Sequence, residues 1–289
     1  MTDIETLASG KGHTDENFPV ASALIAERHR PVVLAFYRVA RMSDDVADHP
    51  TLTAAEKLSR LTAIEASLKG EDDRVPAAAT LRRVLAARGL GDRHVLDLLE
   101  AFRRDAVKSR YQDWDELMDY CRYSAAPVGR FMLEVHGEDR ATWPASDALC
   151  AALQVINHLQ DCGKDYRDLD RVYVPLDALD AAGVEVESLG EAQGGLALRG
   201  AISGLARKTS TLLEAARPLA AGLRDFRLAL EIGVIQALAE SLNRRLLDRD
   251  PLSERVHHGK LETSWIALAG AATVIGGRLS PRPGRRGGA

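Results

Sequence analysis

The sequence predicts an all-α fold, on the basis of three observations. Apolar residues recur at spacings of three and four along most of the chain, as in Leu61, Ile64 and Leu68, which is the periodicity of one face of a helix. The strict alternation expected of a half-buried strand is almost absent. Helix breakers, such as Pro50 and Pro251, separate the periodic segments.

Taken in order, the periodic segments predict helices near 22–47, 53–69, 76–87, 92–107, 114–136, 145–166, 198–222, 226–247 and 262–277. Pro127 and Gly129 are expected to kink the fifth of these. The segment 181–200 is rich in glycine and glutamate and is predicted to be a surface loop. We expect one helical domain over 1–278 and a disordered basic tail over 279–289.

The amino-acid composition and net charge disfavour several classes of function. The 289 residues are 46% apolar and 28% charged, which suits a folded domain with a substantial core. The net charge of −4 does not favour nucleic-acid binding. Three cysteines without a C-x-x-C pair predict buried thiols in a reducing cytoplasm. The N-terminus lacks the order of a signal peptide, and the segment 264–277 is too short to span a bilayer, so any membrane contact is expected to be peripheral, at the inner face.

A polar stripe runs along the first long helix. Tyr37, Arg41, Asp44 and Asp48 are spaced by four, three and four residues, and Asp45 lies next to them. Asp44 and Asp48 carry like charges one turn apart, which costs roughly 0.2–0.5 kcal/mol. Alone, such a stripe is typical of a solvated helix face.

A second stripe makes a functional interpretation stronger. Gln154, Asn157, Asp161 and Asp165 are spaced by three, four and four residues on another long helix. If the two stripes face each other across a bundle, they form a negatively charged cavity that suits Mg²⁺ and a substrate diphosphate. Arg41 then becomes a phosphate donor. A di-iron centre is the rival, but it needs two Glu-x-x-His motifs and the chain has one, at 254–257.

Four blocks of sequence resemble a known family: FYRVARMSDDVAD (36–48), YCRYSAAPVG (120–129), LQVINHLQDCGKD with RVYVP (153–165 and 171–175), and SERV (253–256). Together they resemble the squalene and phytoene synthases, the head-to-head trans-isoprenyl diphosphate synthases. The resemblance implies a single-domain isoprenoid-synthase helical bundle around a central cavity. The segment GHTDENFPVAS (12–22) resembles the opening of bacterial hydroxysqualene synthases of hopanoid biosynthesis, which convert presqualene diphosphate with water.

The resemblance assigns roles residue by residue. It makes Asp44, Asp45 and Asp48 one metal–diphosphate motif, and Asn157, Asp161 and Asp165 the other. The expected substrate-binding residues are Tyr37, Arg41, Gln154, Gln160, Lys164, Tyr173 and Arg255. Tyr120 is the expected catalytic tyrosine beside the aspartates, for proton transfer or cation stabilisation, although a buried structural tyrosine is the alternative. The implied partners are the substrate presqualene diphosphate and other hopanoid-pathway enzymes.

Departures from the family pattern leave other activities open. Gln160 stands where most relatives have arginine, so one cation is missing beside the expected metals. A neutral amide there suits an ordered water, and a tolerated substitution on the cavity rim is the alternative. The helix before Pro251 also lacks a tyrosine that many relatives carry. A condensing squalene or phytoene synthase, a class I terpene cyclase and a non-catalytic scaffold are the other candidates.

Overall fold

The structure is a computed structural model that describes residues 25–279. Within that range no strand forms, and a single bridge pairs Arg110 with Val172. The all-α prediction is confirmed. The helices are α1 (Arg30–Ala47), α2 (Ala54–Lys69), α3 (Pro76–Ala87), α4 (Arg93–Asp105), α5 (Trp114–Ser124), α6 (Ala126–Val135), α7 (Trp143–Gln160), α8 (Cys162–Leu169), α9 (Leu176–Ala181), α10 (Leu196–Ala216), α11 (Leu219–Gly222), α12 (Phe226–Asp248) and α13 (Lys260–Leu279).

Local sequence explains where helices begin and end. Thr53 starts α2 with a capping box, because its side chain accepts from the Glu56 amide while the Glu56 carboxylate accepts from the Thr53 amide. Gly70 ends the same helix in the left-handed region, at φ 80°, which glycine adopts without a steric cost. The helices α3, α6 and α7 each have a proline in the first turn, where no amide proton is needed.

Three predicted helices are divided in the structure. The segment 114–136 breaks at Ala125, just before Pro127, so the predicted kink is a full break. The segment 145–166 breaks at Asp161, and 198–222 is interrupted before Pro218. The loop predicted over 181–200 contains a short 3₁₀ turn, Val186–Gly190, and α10 begins within it. The tail beyond residue 279 and the opening segment 12–22 lie outside the described residues.

Two hydrophobic clusters hold the helices together. The first joins α1–α4 and includes Phe131 from α6. The second joins α5, α7, α10 and α12. Phe36 and Phe131 stack with ring centroids 3.9 Å apart and connect α1 to α6. Because each fully buried large side chain contributes about 1.5–3 kcal/mol, these clusters fix the positions of the helices between which a cavity remains.

Helices α12 and α13 cross with their backbones in contact. A β carbon on Gly270 would lie 2.5 Å from the carbonyl oxygen of Gly233 and 3.0 Å from Cβ of Ala237. A β carbon on Gly233 would meet the side chain of Val274. The absence of side chains at Gly233 and Gly270 therefore sets the distance between the two helices.

Gly270→Ala should lower the free energy of unfolding by about 1–3 kcal/mol, because the added methyl group forces the backbones of α12 and α13 apart. The matched control is Gly277→Ala in the same helix, where nothing lies within 4 Å of a β carbon. That substitution should stabilise the protein by about 0.5–1 kcal/mol through the lower backbone entropy of alanine. Urea denaturation measures both, and equal stability of the two variants would contradict the close crossing.

Candidate active site

The first acidic stripe lies at the end of α1. Arg41 forms ion pairs with Asp44, at 3.0 Å, and with Asp45, at 2.7 Å. Asp48 ends the helix and pairs with Arg171 at 2.6 Å. Each of the three aspartates is therefore paired with an arginine, which offsets the repulsion between the like charges of Asp44 and Asp48.

The second stripe spans the break between α7 and α8. Gln154 and Asn157 line the cavity described below. Asp161 occupies the break itself, and Asp165 lies in the first turn of α8. A carboxylate in that position is favoured by the positive end of the helix dipole, by about 0.3–1 kcal/mol at an exposed site. The break therefore separates Gln154 and Asn157, which line the cavity, from Asp161 and Asp165, which lie at the start of α8.

Arg171 connects the two stripes, and the sequence analysis did not single it out. Arg171 as a whole is 6% exposed. Nη1 donates to Oδ1 of Asp48 at 2.6 Å, and Nη2 donates to the carbonyl oxygens of Asp105, at 3.2 Å, and Ala47, at 3.4 Å. Its place in the block RVYVP was the only signal in the sequence. It fixes the end of α1 against the segment that follows α8.

The electrostatics of the site favour a cation. Burial and the neighbouring charge of Asp48 raise the pKa of Asp44 to about 7. Burial and the charge of Asp161 raise the pKa of Asp165 to about 7, and Asp48 adds to this effect. Because the charge of Asp48 in the first stripe raises the pKa of Asp165 in the second, the two stripes interact electrostatically. Carboxylate oxygens that repel one another in this way suit a hard divalent cation.

Tyr120 and Tyr173 do not line the cavity. Both are buried, and their hydroxyls donate to Asp105, at 2.9 Å from Tyr120 and 3.2 Å from Tyr173. Burial raises the pKa of both phenols well above the usual range, so they stay protonated as donors. Tyr173 was expected to bind substrate, and its ring is not part of the cavity wall. For Tyr120 the geometry matches the alternative of a buried, hydrogen-bonded structural tyrosine.

Asp105 is a further site residue that the sequence did not reveal. It ends α4 and accepts from both tyrosine hydroxyls. Burial raises its pKa to about 6, although Arg171 opposes the shift. Its charge also raises the pKa of Asp44. No spacing pattern connects Asp105 with either stripe, because only the packing of α4 brings it to them.

His158 orients the amide of Gln154. The imidazole stacks on Tyr173 with centroids 3.5 Å apart, and its Nε2 lies 3.1 Å from Nε2 of Gln154. Burial lowers the pKa of His158 to about 3, so the ring is neutral at physiological pH. An unprotonated ring nitrogen accepts a hydrogen bond from the Gln154 amide N–H. The carbonyl oxygen of Gln154 is then left for other partners at the cavity wall.

The cavity between α1, α6, α7 and α12 has a volume of about 430 Å³. Tyr37, Gln154 and Asn157 belong to its wall and lie on the same helices as the acidic stripes. The rest of the wall is mostly apolar. Its side chains include Val33, Phe36, Ala40, Phe131, Met132, Leu133, Leu149, Leu153, Leu228, Ile232 and Ile235. An apolar cavity beside the aspartates of the two stripes can hold a long hydrocarbon chain, with the charged group of that molecule toward the aspartates.

The remaining expected substrate contacts lie at the edges of the site. Lys164 and Arg255 are exposed. The loop of Arg255 lies beside α8, because Leu252 packs on Gly163. Gln160, an expected substrate-binding residue, is 7% exposed and is not among the residues of the cavity wall. Its Nε2 has no hydrogen-bond partner within the described residues, so a buried donor is available next to Asp161.

A second cluster of potential ligands lies away from the stripes. His29, His136 and Asp225 offer ligand atoms within 4.8 Å of one another. However, Arg28 and Arg88 both contact the ring of His29, at 3.0 Å and 2.7 Å. These guanidinium charges oppose a bound cation. We therefore do not assign a metal ion to this cluster.

Residues 11–262 match the family described as squalene/phytoene synthase. A hydroxysqualene synthase of Rhodopseudomonas palustris is 58% identical over 262 residues, which is 91% of this chain and 90% of that protein. A hydroxysqualene synthase of Zymomonas mobilis is 54% identical over 92% of this chain and 90% of that protein.

Solved structures give the same picture of the fold. A squalene synthase from Alicyclobacillus acidocaldarius superposes with a TM-score of 0.71 at 31% identity, covering 84% of this chain and 91% of its own. A dehydrosqualene synthase solved with a ligand has a TM-score of 0.76 at 20% identity, covering 95% and 97%. The second likeness concerns the fold alone.

Proposed function

This chain belongs to the squalene/phytoene synthase family, and we propose that it is a hydroxysqualene synthase that converts presqualene diphosphate and water into hydroxysqualene and diphosphate. The observation that carries the proposal is an apolar cavity whose wall includes Tyr37 of the first acidic stripe and Gln154 and Asn157 of the second. The names of relatives that are more than half identical over about nine-tenths of the chain support it.

We propose Mg²⁺ as the cofactor, held by Asp44, Asp45 and Asp48 on one side and by Asn157, Asp161 and Asp165 on the other. The donors fit, because all are hard oxygen ligands and the raised pKa values of Asp44 and Asp165 mark charge that a cation would offset. When bound, the metal neutralises charge on the departing diphosphate.

In the proposed reaction, the chain's own residues bind the diphosphate and shield the carbocation from bulk water. Arg41, Lys164 and Arg255 are the proposed diphosphate donors. The C–O bond to diphosphate breaks, and its electron pair leaves with the diphosphate. The resulting carbocation rearranges among apolar side chains, which exclude bulk water. The oxygen of one water molecule then forms the new C–O bond, and a proton is lost to the surroundings.

Polar groups near the acids are proposed to place that water. The Gln154 amide, held by His158, presents its carbonyl oxygen at the wall, and a carbonyl accepts a hydrogen from water. Tyr120 acts through Asp105 rather than by touching substrate, since its hydroxyl is committed to that carboxylate. The proposed role of Tyr120 and Tyr173 is therefore to hold Asp105 beside Asp44 and Arg171.

Product analysis tests the proposal. Incubated with presqualene diphosphate and Mg²⁺ in ¹⁸O-labelled water without NADPH, the protein should give a C30 alcohol that carries ¹⁸O. Parallel reactions with farnesyl and geranylgeranyl diphosphate test a condensing synthase or a terpene cyclase. A comparable rate of conversion of farnesyl diphosphate alone to presqualene diphosphate or to a hydrocarbon would reject the proposed activity.

The stabilisation by Mg²⁺ should increase with pH. The folded-state pKa values of Asp44 and Asp165, about 7, exceed the ordinary value of 3.8, so the contribution of these two groups to metal-free stability is fully present below about pH 4 and is lost as pH rises through 7. Mg²⁺ competes with protons for the same oxygens. Thermal unfolding should therefore show a larger Mg²⁺-induced shift at pH 8 than at pH 5.5, and Asp165→Asn should reduce the difference. An equal shift at both pH values would contradict the metal assignment.

Gln160→Met should change stability and activity in opposite directions. Because Nε2 is buried without a partner within the described residues, removing it should raise the free energy of unfolding by about 1 kcal/mol. We propose that this donor serves the diphosphate or the attacking water, so alcohol formation should fall by about tenfold or more. Urea denaturation and product assays measure the two effects. Lower stability with unchanged turnover would assign Gln160 a packing role only.

No described helix has the length and apolarity needed to cross a membrane. The three cysteines are free, which supports our proposal of a reducing cytoplasmic location. Contact with other hopanoid-pathway enzymes stays a prediction.

A further inference from the structure

Ser124 is a polar residue of the cavity wall, at the end of α5. Its Oγ is buried and has no hydrogen-bond partner within the described residues. A helical serine commonly donates to the carbonyl oxygen one turn back, as Ser43 does to Val39 at 2.8 Å. Ser124 does not make that bond. Because a buried hydroxyl without a partner is unfavourable, this position favours a polar molecule that enters the cavity.

Tyr120 places the segment before Ser124 against α7. The centroid of its ring lies 6.1 Å from that of His158. Ser124 follows Tyr120 by one turn of α5, and Gln154 precedes His158 by one turn of α7. Ser124 and Gln154 therefore lie side by side if the chain around Ser124 runs opposite to α7.

The contact after Ser124 establishes that direction. Beyond the break between α5 and α6, a β carbon on Gly129 would lie 2.6 Å from Sγ of Cys150. From residue 120 to residue 129, the neighbour on α7 thus changes from His158 to Cys150. Gln154 lies midway between those two residues. Ser124 and Gln154 consequently line the cavity at the same level.

The polar groups farther along α7 are already paired. The hydroxyl of Ser146 donates to the thiol of Cys150, and burial raises the pKa of that thiol to about 12, so it stays neutral. A buried water is usually held by two to four polar partners. Oγ of Ser124 and the carbonyl oxygen of Gln154 supply two at one level of an otherwise mostly apolar wall. Rotation of Ser124 about χ1, among its three staggered positions, is sufficient to turn Oγ toward such a water.

We propose that Ser124 is a positioning residue for the water that captures the carbocation, a role that rests on the proposed hydroxysqualene synthase activity. The water donates one hydrogen to Oγ of Ser124 and the other to the carbonyl oxygen of Gln154. Its lone pairs then remain for the carbocation. One of these electron pairs forms the new C–O bond, and the oxygen loses a proton to the released diphosphate, the other product of the reaction.

Product partition in Ser124→Ala tests this role. With presqualene diphosphate and Mg²⁺, the ratio of alcohol to released diphosphate should fall about fivefold, the factor expected when one neutral hydrogen bond to the water is lost. A carbocation that escapes capture loses a proton from an adjacent carbon, so a C30 hydrocarbon should account for the difference. Ser124→Thr keeps the hydroxyl and should retain most of the alcohol. In urea, Ser124→Ala should be at least as stable as the wild type, because the removed Oγ has no partner among the described residues.

The matched control is Ser210→Ala in α10, which is not among the residues of the cavity wall. Oγ of Ser210 donates to the carbonyl oxygen of Ala206 at 3.1 Å and accepts from Nδ2 of Asn243 at 2.9 Å. This variant should therefore lose stability and keep the wild-type product ratio. An unchanged ratio in Ser124→Ala, or an equal fall in Ser124→Thr, would overturn the role of Ser124 and leave the proposed activity intact. Absence of any alcohol from the wild type would reject the activity and the role together.

Discussion

Asp161→Asn should lower the rate of diphosphate release from presqualene diphosphate by at least about 100-fold, the loss expected when a fixed charge is removed from a reacting centre. Asp161 occupies the break between α7 and α8, so its carboxylate is placed by the backbone rather than by an ion pair. Asparagine keeps the shape and one oxygen but removes the charge that the proposed Mg²⁺ needs. The fold should be unaffected. Single-turnover assays at saturating Mg²⁺ measure the effect.

Asp44→Asn should give a similar loss of activity with equal or greater stability. The pKa of Asp44 is raised by burial and by Asp48, so the charge is already unfavourable in the metal-free fold. The matched control is Asp180→Asn, an exposed aspartate in α9 away from the stripes, which should keep wild-type turnover. Wild-type turnover in Asp44→Asn and Asp161→Asn would reject the metal-binding stripes.

Arg171→Met should cost about 3 kcal/mol of stability and reduce turnover by at least about 100-fold. The substitution removes a buried guanidinium and leaves Asp48 and two carbonyl oxygens without their donor. Breaking a buried pair on one side costs about 3–5 kcal/mol, and the partial exposure of Asp48 favours the lower end. Urea denaturation and diphosphate release measure the two effects. Arg171→Lys restores the charge but lacks the planar fork, so it should recover only part of each.

The control for Arg171 is Arg110→Met. Arg110 pairs with the exposed Asp170, and such a surface pair contributes at most about 1 kcal/mol. The double variant Asp48→Asn, Arg171→Met should be more stable than Arg171→Met alone, because it removes the uncompensated carboxylate. If Arg171→Met is no less stable than Arg110→Met, then Arg171 does not hold the two stripes together.

Much of this architecture could be predicted from sequence because helical periodicity is a local signal. The predicted end of the first helix placed Asp44 and Asp48 at a helix end, where the structure has them, whereas Asp161 was expected inside a helix and lies at a break. Arg171 and Asp105 were missed for the opposite reason. Arg171 is 123 residues from Asp48, and Asp105 is 15 residues from Tyr120, 66 from Arg171 and 68 from Tyr173, so no spacing within a single helix records these contacts.

Helix lengths and side-chain directions show the same limit. Apolar periodicity continues across Ala125 and Asp161, so the sequence predicted single helices where the backbone breaks. Tyr120 and Gln160 were expected at the active site, and their burial by the packing of α5 and the end of α7 could not be read from the sequence. Periodicity assigns a residue to a face, but neighbouring helices decide what that face contacts. The metal and substrate assignments themselves stay predictions.

The hydrogen bond between Arg171 and Asp48 has a consequence for how the protein folds. It joins the end of α1, which belongs to the first hydrophobic cluster, to a segment packed in the second. Contacts between residues so far apart in sequence form late, because the entropy of closing the intervening chain must be overcome before they contribute. A partly folded chain with either cluster alone would lack an assembled acidic site. The acidic site is therefore assembled only when the two hydrophobic clusters pack against each other.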